Sequence, residues 1–531
     1  MNSIFLGLMD FFKKYDGLTV FVVSVLVCTS FIGFYPIYIL DEARNSEAAR
    51  EMLVSENYVV PFFNGQLRTD KPPLHYFFMV LGYKFFGVNA FGARFFSGIF
   101  GTLTFCISYL NVKRWLGQQT AIATLVILLS SLFLVQEFHL AVPDPYLIFF
   151  VTISLFSFFN YYKLGKLGWL LTFYAAIGFG LLTKGPVALV LPGLIIPIFL
   201  AFQRDFSLAS ILRLKPFLGL VILLAIAGPW YYLVHIQTNG EWTQGFFLDH
   251  NISRFGSEKE GHGGFFFTTP LYVLLGLLPF SAFLVQAFVH GWKAGKGNDF
   301  LLFSFLVGFI TLLFFSISST KLPNYPMPSY PFVAVILAYY LNKIFLNGEK
   351  RKSVYWSLIA LMIIGIALPI GGWIGLSLEK QLVSVRYLSL VLILTTLAGI
   401  LGFYFYQKNN FKLAFKSIAV GWILTGLVLF GFVYPTLTKQ SPVARALEEL
   451  PSNAQMVAFK RFDSAFPINF QRTFPVLDSM EEIKMYLEEH PDAFIITNTR
   501  NKDELKQLES LHLILEQKAL FENHTTRIYT K

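Results

Sequence analysis

Five short groups of titratable residues stand beside long apolar stretches. The first, Asp41-Glu42-Ala43-Arg44-Asn45-Ser46-Glu47-Ala48-Ala49-Arg50-Glu51, starts directly where an apolar run ends. At helical spacing Arg44, Glu47 and Glu51 share the face of Glu42 or lie close to it, so a surface helix laced with ion pairs is one reading. The other reading is chemistry at the membrane surface. In the second group, Asp70-Lys71-Pro72-Pro73-Leu74, two prolines fix an extended turn and hold Lys71 at headgroup level. An ammonium anchored there suits a lipid phosphate as a point charge, and it could equally be a snorkelling side chain. Glu137, His139, Asp144 and Pro145 form the third group; carboxylates at the mouth of a helical bundle are costly unless paired or functional. His139 reads as a hydrogen-bonded structural histidine rather than a metal ligand. Lys184, in the turn Leu182-Thr183-Lys184-Gly185-Pro186, reads as a snorkelling lysine. The fourth group is Asp249-His250-Asn251-Ile252-Ser253-Arg254-Phe255 with His262, and the fifth is Ser319-Thr320-Lys321-Leu322-Pro323-Asn324-Tyr325.

The elements that must position these groups are membrane spans. Of the 531 residues 55% are hydrophobic and only 14% charged, where a water-soluble chain of this size carries nearer a quarter. The apolar residues come in blocks of about 20, the length of a bilayer-crossing helix. About 13 spans are expected, near residues 18–40, 91–111, 118–136, 146–162, 168–183, 186–202, 216–236, 269–290, 299–318, 326–346, 353–376, 385–406 and 415–434. The fold class is therefore mostly α, a polytopic helical bundle. The stretch 75–87 is apolar but short, and reads as a helix lying along the surface or dipping in. The first block is too long for a signal-peptide core and lacks a cleavage site, so it reads as a retained span. Cys28 and Cys106 lie inside apolar blocks and read as packing residues.

Lysine and arginine give the orientation. Lys13, Lys14, Lys113, Arg114, Lys163, Lys166, Arg204, Arg213, Lys215, Lys293 and Lys296 share one side, as do Lys350, Arg351, Lys352, Lys408, Lys412 and Lys416. Short loops opposite hold little beyond Lys184, Lys321 and Lys380, so the first side is cytoplasmic. With an odd number of spans the N-terminus lies inside and the C-terminus outside. All five groups then share the outer face, which favours an outward-facing active site. The net charge of +10 resides in those cytoplasmic loops and speaks against nucleic acid.

Residues 1–436 read as the transmembrane domain, with outer loops 41–90 and 237–268, and residues 437–531 as a soluble extracytoplasmic α/β domain. Its strand-like runs are Gln455–Lys460, Ala493–Thr497, Leu513–Leu520 and Thr526–Thr530; its helix-like runs are Val443–Leu450, Ser479–Glu489 and Asp503–Leu508. No nucleotide-binding glycine motif stands in this region.

On these residues the chain resembles the GT-C class of membrane glycosyltransferases, nearest the aminoarabinose (lipid A) transferases and the protein O-mannosyltransferases. Six features carry the resemblance in order over roughly residues 18–330: Asp41-Glu42, the Lys71-Pro72-Pro73-Leu74 turn, Asp144-Pro145, Leu182-Thr183-Lys184-Gly185, the loop His250 to Arg254-Phe255, and Lys321-Leu322-Pro323 with Tyr325. It implies an inverting transfer of a sugar from a polyprenyl-phosphate donor to lipid A, or to another envelope glycan or protein. The reaction would run at the outer face of a bacterial inner membrane. It further implies Asp41 with Glu42 as catalytic carboxylates and Lys71 with Arg254 on the lipid phosphate. Arg44, Asp144, His250, His262, Lys321 and Tyr325 would contact substrate, and Asp70 with Asp144 would be candidates for a divalent metal ion. Where relatives carry Glu before the Lys-Pro-Pro turn this chain has Asp70, and Asp249 also stands where Glu is familiar. A transporter or flippase is the competing class, but it would gather polar residues at the midplane and show repeated halves. An envelope scaffold is a further alternative.

Overall fold

The computed structural model describes residues 16–253, 263–346, 348, 351–451 and 453–531. One helix shows how the sequence writes a span. Asn89 caps Ala90–Leu116 by accepting from the Gly92 N–H, and Lys113 and Arg114 close its last turn, where cations complement the helix dipole. Its 27 residues reach about 40 Å at 1.5 Å per residue, enough to cross a bilayer with room to tilt.

Among the described residues eight helices are long and apolar enough to cross a membrane. A ninth results if Gln118–Ser130 and Leu132–Phe138, bent by 73° at their junction, form one span. Two shorter apolar helices, Asp16–Thr29 and Val187–Phe202, occupy further predicted positions. The expected count of 13 is not reached by length and composition, for reasons visible in the chain. The predicted span 269–290 is divided into Thr268–Gly276, Phe280–Phe283 and Leu284–Gly295, with Pro279 at the break. The predicted span 18–40 is α-helical only as far as Thr29.

Aromatic side chains fill the bundle interior. Phe156, Phe158, Phe159, Phe199, Phe300, Phe303 and Phe332 belong to one core, with ring centroids as near as 4.5 Å for Phe156 and Phe332. Ile363, Ile366, Ile370 and Ile374 stand exposed along Lys352–Leu378, an apolar surface that lipid covers.

The C-terminal region forms a small α/β domain. Strands β1 (Phe62–Phe63) and β2 (Gln66–Leu67) make a hairpin between the Leu40–Ser55 and Leu74–Phe86 helices. The C-terminal sheet has β3 (Met456–Phe459), β4 (Val476–Leu477), β5 (Phe494–Thr497), β6 (His512–Lys518) and β7 (Thr525–Thr530) in the order β4-β3-β5-β7-β6. β3 pairs in parallel with both β4 and β5, while β7 runs antiparallel to β5 and β6. The four predicted strands and three predicted helices are all present. β4 and Ala465–Phe470 are additions that the sequence pattern did not mark, being only two and six residues long.

This domain rests on the segment that follows the first apolar helix. Asn469 donates to the Ile37 carbonyl at 2.7 Å, and Asn64 and Phe474 exchange two hydrogen bonds at 2.8 and 3.0 Å. Helix Ala465–Phe470 packs on Leu40–Ser55, the helix that begins with the Asp41-Glu42 pair. That charged helix is therefore not a surface element: Glu42, Asn45, Ser46, Glu47 and Arg50 are all buried.

Candidate active site

The loop before Leu74–Phe86 is built around Arg68. Its Nε donates to the Tyr76 hydroxyl at 3.1 Å and its Nη2 to Asn45 Oδ1 at 3.1 Å, while Nη1 pairs with Asp70 at 3.0 Å. Asn45 lies one helical turn beyond Asp41, so this buried arginine ties the Asp41 helix to the Asp70-Lys71 turn. Pro72 and Pro73 then hand the chain into Leu74–Phe86. Gly82 in that helix meets Gly92 of the next so closely that a side chain at Gly82 would clash with the Gly92 carbonyl.

The segment after Pro216–Gln237 packs on the same loop. Trp242 donates its indole N–H to the Arg68 carbonyl at 2.9 Å and stacks on Phe246 with centroids 4.8 Å apart. The following turns, Gly245–Ile252, are π-helical, a form that recurs at functional sites. They bring His250 Nε2 to 2.9 Å from Asp70 Oδ1. Burial works to raise the Asp70 carboxyl, but the His250 hydrogen bond and the Arg68 charge outweigh it and hold the group well below its usual range.

The third wall comes from the membrane helices. Asp144 opens Asp144–Leu164, with Pro145 in its first turn, and Lys184 ends Leu167–Lys184. Lys184 Nζ sits 2.6 Å from Asp144 Oδ1 and 5.3 Å from the centre of the Tyr325 ring. Gly185 adopts a φ of 77°, and a methyl group there would meet the Phe246 ring at 2.5 Å, so glycine is required both for the turn and for the approach. Glu137 lies buried within electrostatic reach of Asp144 and Lys184.

These walls enclose a cavity of about 520 Å³. Asp70, Lys71, Asp144, Lys184, His250 and Tyr325 form its polar end, and Leu147, Val187, Val190, Phe246, Phe314 and Phe315 its apolar side. Five distant stretches of sequence thus meet at one site. The arrangement suits an amphipathic ligand with an anionic head and a hydrocarbon tail.

Other expected residues take different places. Glu42, expected beside Asp41 in catalysis, is fully buried in a two-pronged pair with Arg94 at 2.6 and 2.9 Å and also accepts from the Ala141 N–H at 2.9 Å. Arg94 further donates to the Ile32 and Tyr35 carbonyls, so the pair fastens helix ends together and does not line the cavity. Arg44 points to the C-terminal domain, its Nε 3.3 Å from Ser464 Oγ. Lys321 donates to the Ser318 carbonyl at 2.6 Å, behind the cavity wall that Ser318 helps to form. Asp41 is exposed, with its charge felt at Arg68, Tyr76 and Glu137. Arg254 and His262 lie outside the described residues.

The metal candidates do not make a ligand set. Asp70 is taken up by Arg68 and His250 and Asp144 by Lys184, and no group of three metal-binding side chains exists among the described residues. Arg68 was not marked as a site residue from sequence. Its spacing, two before Asp70 in an extended segment, was the available signal.

Comparison with known proteins places this geometry. The family described as dolichyl-phosphate-mannose-protein mannosyltransferase matches residues 70–233. An uncharacterized protein of Aquifex aeolicus is 32% identical over 309 residues, covering 57% of this chain and 68% of the relative. The undecaprenyl phosphate-alpha-4-amino-4-deoxy-L-arabinose arabinosyl transferase of Erwinia tasmaniensis is 33% identical over 317 residues, covering 58% of this chain and 56% of the relative. The chain thus spans a little over half the length of the arabinosyl transferase it matches. The crystal structure of ArnT from Cupriavidus metallidurans bound to undecaprenyl phosphate superposes with a TM-score of 0.77 at 20% identity, over 96% of this chain and 97% of that one. The fold is shared from end to end.

Proposed function

We infer function from one premise joined to the cavity: this multi-pass membrane chain belongs to the GT-C class of glycosyltransferases, close to the aminoarabinose transferase group. On our reading it moves a sugar, with inversion, from a polyprenyl-phosphate donor to lipid A or another envelope acceptor. The reaction takes place at the outer face of a bacterial inner membrane, with the N-terminus cytoplasmic and the C-terminal domain outside. The observation that carries this is the cavity, whose polar end bears Lys71 and Lys184 and whose apolar side suits the tail of a phosphate-bearing isoprenoid.

The chemistry follows from charge. In this reading an acceptor oxygen attacks the anomeric carbon, the bond from that carbon to the phosphate oxygen breaks, and the bonding pair leaves with the polyprenyl phosphate. Lys71 at the cavity's polar end stabilises the dianion that develops, in a setting partly shielded from water. Lys184, held by Asp144 and the Tyr325 ring, keeps a second cation in place. Where the acceptor is a hydroxyl, Asp41 receives its proton as the new bond forms. Where the acceptor is a lipid A phosphate, the nucleophile is already ionised and Asp41 orients it. His250 and Arg68 fix Asp70 beside Lys71, so the loop is set before substrate arrives. The Asp70 and Asp144 carboxylates are occupied by cationic groups of the protein itself.

Mass spectrometry of lipid A and of polyprenyl-phosphate sugars, from cells with and without the gene, tests the reading. Loss of a sugar from lipid A with accumulation of its lipid-linked donor supports both donor and acceptor. Accumulation of the donor with unchanged lipid A moves the acceptor to protein or polysaccharide. No change in either overturns the transferase reading.

A further inference from the structure

The C-terminal domain carries a second cavity, of about 640 Å³, that the reaction above does not use. It lies beyond the carboxyl ends of the three parallel strands. Lys460 and Arg461 follow β3, Asp478 follows β4, and Asn498 to Asn501 follow β5. That edge is where open α/β sheets take ligands, because the loops diverge there and leave a crevice.

Most charges around this cavity are already matched. Lys460 pairs with Glu504 at 3.1 Å, and the Thr499 hydroxyl donates to the same carboxylate. His524 lies between Asp463 at 3.5 Å and Glu522 at 3.0 Å. Three charges make no ion pair among the described residues. Arg461 and Arg500 line the cavity with exposed side chains, Arg461 within electrostatic reach of Glu504, and the Asp478 carboxylate faces the same cavity, which leaves the cations in excess by one. Beside them stand the amides of Asn498 and Asn501, which offer both donors and acceptors. Exposed guanidinium groups free of an ion pair suit a phosphate, and flanking amides suit sugar hydroxyls.

The loop that carries Arg461 is fixed to the catalytic side of the molecule. The Phe462 ring stacks on Phe63 of β1 with centroids 6.3 Å apart. Ser464 accepts from Arg44, one helical turn from Asp41. A ligand at Arg461 is therefore held by a segment that contacts the Asp41 helix.

We propose that this cavity binds the phosphate-bearing sugar headgroup of the acceptor, with Arg461 and Arg500 on the phosphate and Asn498 and Asn501 on the sugar. The role in transfer rests on the glycosyltransferase reading; the binding itself does not. The test uses the full chain in lipid nanodiscs and titrates glucosamine 6-phosphate, glucosamine and inorganic phosphate by calorimetry. Glucosamine 6-phosphate should bind at least about tenfold more tightly than either of the others, and Arg461→Ala with Arg500→Ala should weaken it by about tenfold or more. Arg461→Lys with Arg500→Lys should keep part of that affinity, because the charge remains while the planar fork is lost. With lipid A and the lipid-linked donor, the double alanine variant should raise the acceptor KM about tenfold, with donor KM and kcat within about twofold.

Unchanged affinity for glucosamine 6-phosphate in the double alanine variant overturns the site. Equal binding of inorganic phosphate overturns its saccharide character. An unchanged acceptor KM in a working transfer reaction overturns its role as acceptor dock. Arginine-dependent sugar-phosphate binding without transfer to lipid A leaves the cavity assigned and sinks only the wider reading of function.

Discussion

At the scale of single residues, the site separates groups that can meet a substrate from groups that hold the fold. Lys71 lines the cavity at its polar end, and Lys71→Ala should weaken donor binding more than acceptor binding. Equal loss of both affinities, measured by titration of each substrate, would argue against its phosphate role. Asp41 is exposed at the start of its helix, so Asp41→Asn should abolish transfer to a hydroxyl acceptor while the protein stays folded in the membrane. Full activity of that variant would sink the assignment. Glu42, its neighbour, belongs to the other kind. Arg94→Ala leaves its carboxylate buried without a counter-charge, held only by the Ala141 N–H, and should cost about 3–5 kcal/mol, read as a lowered melting temperature in detergent. The sequence showed both acids side by side and could not tell them apart, because the partner that buries Glu42 lies 52 residues along the chain. Lys184 was misjudged in the same way: it reads as a snorkelling lysine until Asp144, 40 residues away, is seen at 2.6 Å.

At the scale of elements, legibility followed the length of the signal. Long apolar stretches such as Ala90–Leu116 and Asp299–Ile317 announce themselves by composition, and the strands and longer helices of the C-terminal domain by pattern. Breaks inside spans were hidden, since Pro279 divides an apolar run without changing its hydropathy. The turn residues were legible but their purpose was not. Gly185 marks a turn in any reading, yet its closeness to Phe246 depends on a segment some 60 residues downstream. The loop joining β6 to β7 makes a further prediction. His524 is held by Asp463 first and then Glu522, against the cost of burial, and its pKa is pushed up to about 9. A histidine with a raised folded pKa contributes stability that is complete below about pH 6.5, its unfolded value. That contribution is lost as pH rises through about 9. The difference in melting temperature between the wild type and His524→Gln should therefore be largest near pH 6 and shrink towards pH 9.5. A difference independent of pH would show that the ring acts by packing alone.

At the scale of the whole molecule, the placement of charge and the proposed reaction predict the same orientation. The cavity with Lys71 and Lys184, the exposed Asp41 and the C-terminal domain all lie together, linked by the Asn469–Ile37, Arg44–Ser464 and Asn64–Phe474 contacts. The proposed site and the C-terminal domain therefore share one face of the bundle. The basic loops with Lys163, Arg213, Lys408 and Lys416 predict the opposite face to be cytoplasmic, because lysine and arginine favour that side. A donor whose phosphate is delivered at the outer leaflet needs the site on the face away from the cytoplasm. The two native cysteines sit within apolar helices, which makes introduced thiols readable against them. Glu509→Cys, in the C-terminal domain, should react with a membrane-impermeant maleimide added to intact spheroplasts. Lys408→Cys should react only after the membrane is opened. The reverse pattern would place the cavity on the cytoplasmic side, where an acceptor displayed on the outer leaflet could not reach Asp41, and the transfer reaction proposed for this fold would have to be abandoned.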